Sequence, residues 1–245
     1  MATQVSSRTR GWDALRSAGH AWLCYPSELA PAAVREQRLS WLSTDELARY
    51  ERLPALQRHE YLTARALCRA TLSRYTGIDP PQWRFGKNPY GKPEITAPSG
   101  LESLCFNLTH TDGLAICLVS RAGEVGVDAE ETSRTVDVAL VARHFLSRHQ
   151  QARLARLSPH ERAARFFEQW VLKEAYVKAI GTGLAYAPQR LTVEQGEGGQ
   201  PAAIANCQFS VYRPSSKHLA AAAVFRRDLA AAVSIEWLIA ADLLD

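Results

Sequence analysis

The sequence of 245 residues is poor in cysteine, and the few cysteines that it has are scattered and odd in number. No two of them have the spacing of a zinc site, and no regular disulfide framework is apparent. We interpret them as reduced residues, mostly in the core of a cytoplasmic protein: Cys24, Cys68, Cys105, Cys117 and Cys207.

Long hydrophobic runs are also missing. The N-terminus lacks the apolar segment of a signal peptide, and the alanine-rich stretch at 219–224 is too short to span a bilayer. We therefore expect a cytoplasmic protein without a membrane partner. The net charge of +4 is mild. It fits an anionic small molecule or an acidic partner and is too weak to argue for nucleic acid.

Several familiar catalytic motifs are absent as well. Residues 86–93 match G-x-x-x-x-G-K, but Pro93 stands where a P-loop carries the Ser or Thr whose hydroxyl holds magnesium. Proline also has no backbone N–H to offer a phosphate. The sequence has no G-x-S-x-G, no H-E-x-x-H and no dinucleotide-binding fingerprint. These absences argue against P-loop enzymes, serine hydrolases of that type, zinc proteases and Rossmann dehydrogenases.

Two acidic clusters stand out, roughly forty residues apart. The first, Gly126–Glu130, is predicted to be a strand, so that Asp128 and Glu130 project from one face. The second is predicted to be a helix, and 4, 3 and 4 spacing places Glu174 on an apolar stripe with Phe167, Val171 and Lys178. A buried carboxylate needs a partner. Three carboxylates beside lysines predict a hard divalent ion that holds a phosphate-bearing substrate.

Each cluster taken alone has an ordinary explanation. Asp128 and Glu130 could be the solvated end of a strand, and Glu174 with Lys178 could be a surface pair four residues apart. The two clusters together, with Trp170 at a fixed offset from Glu174, are much less expected by chance. The pair is therefore a stronger signal than either part.

A faint repeat runs through the chain. Tyr75-Thr76-Gly77 and Gly181-Thr182-Gly183 each follow a predicted helix, and later strand segments match at offsets of 103 to 106 residues. Such matches also arise by chance, so duplication stays open. Helices are predicted near 59–75, 136–145, 148–156 and 159–180. Strands are predicted near 20–24, 105–108, 115–120, 124–130, 190–194, 207–212, 219–225 and 232–238.

The two clusters resemble the hallmark of the 4′-phosphopantetheinyl transferase superfamily, G-[VI]-D-x-E followed by W-x-x-K-E-[AS]-x-x-K. Residues 106–111 resemble its F-N-x-S-H-S segment, and 91–93 resemble its G-K-P loop. The resemblance covers about residues 40–225 and fits the long, surfactin-type branch. Two features depart from the family pattern. Val171 stands where many members carry a small polar residue, and Thr109 and Thr111 stand where the family segment has serines.

The resemblance implies an α+β fold of two similar α/β halves, arranged as an intramolecular pseudo-dimer. Residues 1–121 would form the N-terminal half, which contributes to coenzyme A binding. Residues 122–245 would form the C-terminal half, with the metal site and the catalytic helix. The implied reaction moves 4′-phosphopantetheine from coenzyme A to a serine of an apo acyl or peptidyl carrier protein. It depends on Mg²⁺, with Mn²⁺ as a substitute, and releases adenosine 3′,5′-bisphosphate.

The resemblance also implies roles for individual residues. Asp128, Glu130 and Glu174 would hold the metal. Lys173 would neutralise the leaving bisphosphate, and either Glu174 or a metal-bound water would accept the serine proton. The implied coenzyme A contacts are Arg49, Arg52, Arg65, Lys92, Pro93, Thr109, His110, Lys173 and Lys178.

Two other classes stay open from the residues. A metal-dependent phosphohydrolase or nuclease could use the same carboxylates on a basic surface, but it would leave His110 and residues 91–93 without a role. A non-catalytic scaffold with a salt-bridged core would bind no coenzyme A. We expect a monomer that has coenzyme A and a carrier protein as partners and binds neither nucleic acid nor membrane. The sequence does not indicate which carrier, or which biosynthetic pathway, is served.

Overall fold

The computed structural model describes residues 11–26, 32–134, 136–183, 186–193, 204 and 206–240. These residues form both helices and strands, which confirms the predicted α+β class. The α-helices are α1 (Ala32–Ser40), α2 (Thr44–Arg52), α3 (Ala55–Thr76), α4 (Val138–Phe145), α5 (Arg148–Ala155) and α6 (Pro159–Ile180). The strands are β1 (Ala18–Cys24), β2 (Arg84–Lys87), β3 (Pro93–Ala97), β4 (Cys105–Thr111), β5 (Leu114–Ser120), β6 (Val125–Glu131), β7 (Cys207–Tyr212), β8 (His218–Phe225) and β9 (Ser234–Ile239).

The first sheet has the strand order β4-β5-β1-β9, and β2 and β3 form a separate hairpin. Helix α3 packs on the first sheet, where Leu67 and Leu72 are fully buried. The helix ends at Gly77, whose left-handed φ of 72° permits the turn that closes it.

The second sheet has the order β6-β8-β7, with all neighbours antiparallel. The alanine-rich strand β8 is buried, and its small side chains let helix α6 approach closely. At Gly126 the approach is tightest, since a Cβ there would lie 2.0 Å from the Ala175 carbonyl oxygen. A residue without a side chain is therefore required where β6 passes under α6.

The two sheets also pack against each other. Ile116 and Leu118 of the first sheet share a buried cluster with Val127 and Ala222 of the second. All five cysteines are buried, as expected for core residues, and none forms a disulfide. Among the described residues, none of the helices is long and apolar enough to cross a membrane.

The helix ends follow local capping signals. Helix α6 has the predicted bounds because Ser158 and Glu161 form a capping box before it and Gly181 closes it. Helix α3 begins four residues before its predicted start. The predicted strand at 190–194 is wrong over the described residues, because Pro188–Arg190 form a 3₁₀ turn. The carbonyl oxygen of Pro188 accepts a hydrogen bond from the Lys173 side chain and not from a neighbouring strand. Residue 194 lies outside the described residues.

The division into halves at residue 121 stays a prediction, and the pairing of one strand crosses it. Strand β9 belongs to the range assigned to the C-terminal half, yet it pairs in parallel with β1 of the first sheet. The last strand therefore completes the sheet built from the first residues. Helices α3 and α6 each have 22 residues and each ends at a left-handed glycine. The origin of the two halves by duplication stays a prediction.

Candidate active site

Three carboxylates lie on strand β6 and on helix α6, which pack against each other. Asp128 is 6% exposed on the strand, and Glu174 projects from the helix. Burial, and then the charge of Asp128, raise the pKa of Glu130 to about 7. The same two causes, in the same order, raise the pKa of Glu174. Asp128 therefore repels both glutamates, and a cation beside Asp128 would relieve that repulsion.

Two cations already lie against these carboxylates. Lys178 Nζ is 2.7 Å from Asp128 Oδ1, and Arg134 Nη2 is 2.8 Å from Glu130 Oε2. The second oxygen of Asp128, Oδ2, is buried and has no hydrogen-bond partner among the described residues. A buried carboxylate oxygen without a partner is costly unless a ligand satisfies it. Asp128 thus has one oxygen committed to the protein and one available to a cation.

The residues fit a divalent metal by chemistry, although their ligand shell is not assembled. Carboxylate oxygens suit Mg²⁺ and Mn²⁺, and Asp128 Oδ2 is an orphaned ligand atom. In the described part of the chain, however, no group of three His, Cys, Asp or Glu side chains is arranged to hold a metal ion. Lys178 and Arg134 instead lie against two of the three carboxylates, Asp128 and Glu130. Arg134 was missed in the sequence, where its only signal is a charge four residues after Glu130.

Lys178 also joins the two sheets at this point. Its Nζ lies 3.2 Å from Thr109 Oγ1 on β4 and donates to the carbonyl oxygen of Val127 on β6, also at 3.2 Å. Beside it, Asn107 Oδ1 accepts the N–H of Val127 at 2.9 Å. Asn107 was not predicted as a site residue, and its partner could not be found from the sequence. Strands of different sheets therefore bring Thr109 to the carboxylates.

A cluster of positive charges lies beside the carboxylates. The pKa of His110 is lowered by desolvation and then by Arg65, Lys178 and Arg49, in that order. The guanidinium groups of Arg65 and Arg49 both stack on the Tyr61 ring, with Cζ 5.1 and 5.6 Å from its centroid. We call His110, Arg65, Arg49 and Lys178 the basic cluster. The exposed position of His110 leaves this cluster open to an anion.

The guanidinium group of Arg65 is not fully hydrogen-bonded within the described residues. Its Nε lies 3.8 Å from Glu46 Oε1, too far for a hydrogen bond, and that nitrogen is buried without a hydrogen-bond partner among the described residues. Arg52 differs, because its Nε donates to the Ala48 carbonyl oxygen of its own helix at 3.0 Å and its side chain is exposed. Arg52 is not among the cations that shift the pKa of His110.

A cavity of about 310 Å³ adjoins Glu174 and Lys178, and Lys92 and Pro93 line its far side. The expectation that the Lys92 ammonium binds coenzyme A does not agree with its contacts. Its Nζ lies 2.7 Å from Glu124 Oε2 and 2.8 Å from the carbonyl oxygen of Ala179. The charge of Lys92 is therefore already used within the protein.

A larger cavity, of about 680 Å³, lies between α5 and the start of α6. Its lining includes none of the residues predicted for the metal or the cofactor. Volume alone does not identify a site, and the smaller cavity is the one beside the chemistry.

The contacts of Lys173 do not point to the carboxylates, and its predicted role toward the leaving bisphosphate and coenzyme A stays a prediction. Its side chain is fully buried, and Nζ donates to the carbonyl oxygens of Pro188 at 2.7 Å and Leu191 at 2.6 Å. Burial lowers its pKa to about 8. One residue along a helix is a rotation of about 100°, so Lys173 and Glu174 face different surroundings. Lys173 ties residues 188–191 to α6 and does not face the carboxylates.

A family model for the 4′-phosphopantetheinyl transferase superfamily matches residues 124–234. The 4′-phosphopantetheinyl transferase HetI of Nostoc is 31% identical over 182 residues, which is 68% of this chain and 77% of that protein. The 4′-phosphopantetheinyl transferase Sfp of Bacillus subtilis is 29% identical over 143 residues, 58% of this chain and 61% of that protein. A putative 4′-phosphopantetheinyl transferase of Synechocystis is 32% identical over 165 residues, 67% of this chain and 65% of that protein. The aligned segments thus span less than two thirds of the last two relatives.

The buried contacts of Lys173 generate a stability prediction. Lys173→Met should lower the free energy of unfolding by roughly 1–3 kcal/mol, because two buried carbonyl groups lose their donor. Hydrogen exchange should become faster over residues 188–191. Chemical denaturation and exchange mass spectrometry measure the two effects. Lys87→Met is the control, since Lys87 is exposed. Unchanged stability and exchange in Lys173→Met would contradict the conclusion that Lys173 holds residues 188–191 on α6.

Proposed function

Because the chain belongs to the 4′-phosphopantetheinyl transferase superfamily, we propose that it transfers 4′-phosphopantetheine from coenzyme A to a serine of an apo acyl or peptidyl carrier protein. The by-product is adenosine 3′,5′-bisphosphate. The observation that carries the proposal is the orphaned oxygen of Asp128, in a trio of coupled carboxylates beside the basic cluster. The nucleophile comes from the partner, which agrees with the lack of a nucleophile motif in the sequence.

The charges of the site support a substrate with two separate anionic parts. Coenzyme A carries a pyrophosphate and a 3′-phosphate. We assign His110, Arg65 and Arg49 to a phosphate of the cofactor, because both guanidinium groups stack on Tyr61 and act on the pKa of His110. Charge-assisted hydrogen bonds from arginine to phosphate are short and strong. Arg52 and Lys92 are left out of this assignment, since their nitrogens already bond backbone or carboxylate oxygens.

Asp128, Glu130 and Glu174 would hold Mg²⁺ or Mn²⁺. When bound there, the ion supplies positive charge to the pyrophosphate oxygens and polarises the phosphorus. Arg134, now on Glu130, would have to give up that contact. Lys178 is only partly buried and adjoins the cavity, so its ammonium would reach a phosphate of the cofactor by exchanging its contact with Asp128, Thr109 or Val127.

We assign the proton transfer to Glu174. Burial, and then the charge of Asp128, raise its pKa in the metal-free site, and a carboxylate beside the reacting hydroxyl can act as a general base. The serine hydroxyl of the carrier would lose its proton to Glu174 as its oxygen attacks the phosphorus, and the bond to the leaving bisphosphate breaks. General-base assistance of this kind is typically worth about 10²–10⁴ in rate.

The residues of the site come from β4, α2 and α3 on one side and from β6 and α6 on the other. All belong to one chain, so no second subunit is needed to complete the site. We propose a cytoplasmic monomer that meets coenzyme A and a carrier protein as its partners.

The direct test incubates the purified protein with Mg²⁺, coenzyme A and a panel of apo carrier proteins from fatty-acid, polyketide and peptide-synthetase systems. Intact-protein mass spectrometry should show a gain of one phosphopantetheine group, and EDTA should prevent it. No mass gain with any carrier would refute the proposal. Release of the bisphosphate without a carrier would favour a phosphohydrolase.

Asp128→Asn tests the metal ligands. The substitution keeps the shape of the side chain and removes its negative charge. Turnover should fall at least about 100-fold, because the metal ion would lose a charged ligand. Glu131→Gln is the matched control, because Glu131 is the neighbouring carboxylate and bonds to Ser133. It should keep wild-type turnover. Calorimetric titration with coenzyme A, with and without Mg²⁺, adds a binding measurement. Equal turnover of Asp128→Asn and wild type would remove Asp128 from the metal site.

Substitutions in the basic cluster test the cofactor contacts. Arg65→Ala and His110→Ala should raise the KM for coenzyme A roughly tenfold, because contacts to phosphate act in the ground state as well. A residue that holds the 3′-phosphate should lose the preference for coenzyme A over its 3′-dephospho form. Arg52→Ala is the control and should change neither value. An unchanged preference in both variants would place the 3′-phosphate elsewhere.

A further inference from the structure

The turn between β2 and β3 is organised by one side chain. Asn88 Oδ1 accepts the backbone N–H groups of Tyr90 at 2.9 Å and Lys92 at 3.0 Å. The backbone closes the same turn, with Asn88 N donating to the Lys92 carbonyl oxygen at 2.9 Å and Gly91 N to the Asn88 carbonyl oxygen at 3.0 Å. Asn88 therefore fixes the shape of residues 88–92.

The same turn is attached to the end of helix α6. Asn88 Nδ2 donates to the carbonyl oxygen of Gly181 at 2.9 Å, and Lys92 Nζ donates to that of Ala179 at 2.8 Å. The last carbonyl groups of a helix have no partner within it. Here two side chains from about ninety residues earlier supply the missing donors. A Cβ on Gly181 would lie 3.0 Å from Lys92 Cδ and 3.1 Å from Asn88 Nδ2, so the contact is close.

Lys92 links a third element to this contact. Its Nζ is 2.7 Å from Glu124 Oε2, and Glu124 directly precedes β6. The turn thus holds the C-terminal end of α6 next to the start of β6. These are the two elements that carry the carboxylates of the site. Tyr90, Lys92 and Gly181 also line the cavity of about 310 Å³ that Glu174 and Lys178 adjoin.

We propose that Asn88 and Lys92 are positioning residues that cap helix α6 and thereby set where Glu174 and Lys178 stand relative to β6. The proposal rests on the proposed transferase function for its kinetic consequence. Lys178 is one residue before Ala179, and Glu174 is five before it, about 7.5 Å along the helix axis. A displacement of the helix end would therefore move both Lys178 and Glu174. Neither Asn88 nor Lys92 needs to touch the substrate for this role.

Asn88→Asp separates the two tasks of the side chain. An aspartate keeps an oxygen that can accept the N–H groups of Tyr90 and Lys92, and it removes the donor to Gly181. Asn88→Ala removes both. We expect kcat to fall about tenfold in each variant. The KM for coenzyme A should stay within about threefold, because His110, Arg65 and Arg49 lie on β4, α3 and α2, outside the turn.

Gln151→Ala is the matched control. Gln151 Nε2 donates to the Leu146 carbonyl oxygen at 2.8 Å, so its loss removes the same kind of bond elsewhere. Its kcat should stay at the wild-type value even if its melting temperature falls as far as that of Asn88→Asp. Exchange mass spectrometry should show faster exchange over residues 178–183 in both Asn88 variants and no change there in Gln151→Ala.

The outcomes distinguish a failure of the positioning role from a failure of the proposed transferase function. Wild-type kcat and wild-type exchange in Asn88→Asp would overturn the positioning role. A fall of kcat in Gln151→Ala equal to that in Asn88→Asp would reduce the effect to general stability and would overturn it as well. If the wild-type protein modified no carrier, the transferase function would fail, and the exchange comparison would still decide whether Asn88 holds the end of α6.

Discussion

The close approach of helix α6 to strand β6 at Gly126 is the contact on which the site depends. The missing side chain lets the helix backbone come down to the strand, where a Cβ would meet the Ala175 carbonyl oxygen at 2.0 Å. One residue before Ala175 on the helix is Glu174, and two residues after Gly126 on the strand is Asp128. The packing that buries the core therefore also forces like charges together. Burial strengthens their interaction, because the interior screens charge less than water does.

The site is strongly polarised as a result. On one side, coupled carboxylates include an oxygen of Asp128 that no group of the described chain satisfies. On the other, His110 faces several cations and has a lowered pKa. Lys178 lies between them and is bonded to Asp128. Such an arrangement costs stability in the absence of ligands, and it is typical of a site that is completed by a cation and an anion together.

Much of the fold could be predicted from the sequence because its causes are local. Helix α6 is predicted over 159–180 with its end at Gly181, which the structure confirms, and strand alternation predicts Asp128 and Glu130 on one face. These signals lie within a few residues of the structure that they specify. The α+β class was implied by the family resemblance, which the motifs at 126–130 and 170–178 carry.

The rest depended on contacts between distant residues. The sequence placed Lys173 beside Glu174, but its ammonium turns to carbonyl groups 15 and 18 residues later. Lys92 has a partner 87 residues away in Ala179. Asn107 pairs with a strand of the other sheet. No spacing rule reports such partners, so a lysine in a conspicuous motif can be taken for a ligand contact when it is a structural one.

Strand β9 has a consequence for the order in which the molecule can form. Ser234 pairs with Ala18, which precedes it by 216 residues. The edge of β1 therefore stays without its neighbour until nearly the whole described chain has been synthesised. Folding in step with synthesis cannot complete the first sheet before the second, although its other strands are made first. A topology with such long-range pairing is expected to fold slowly and to expose an unpaired strand edge meanwhile. The nascent chain would then need protection from association at β1 for longer than at any strand of the second sheet.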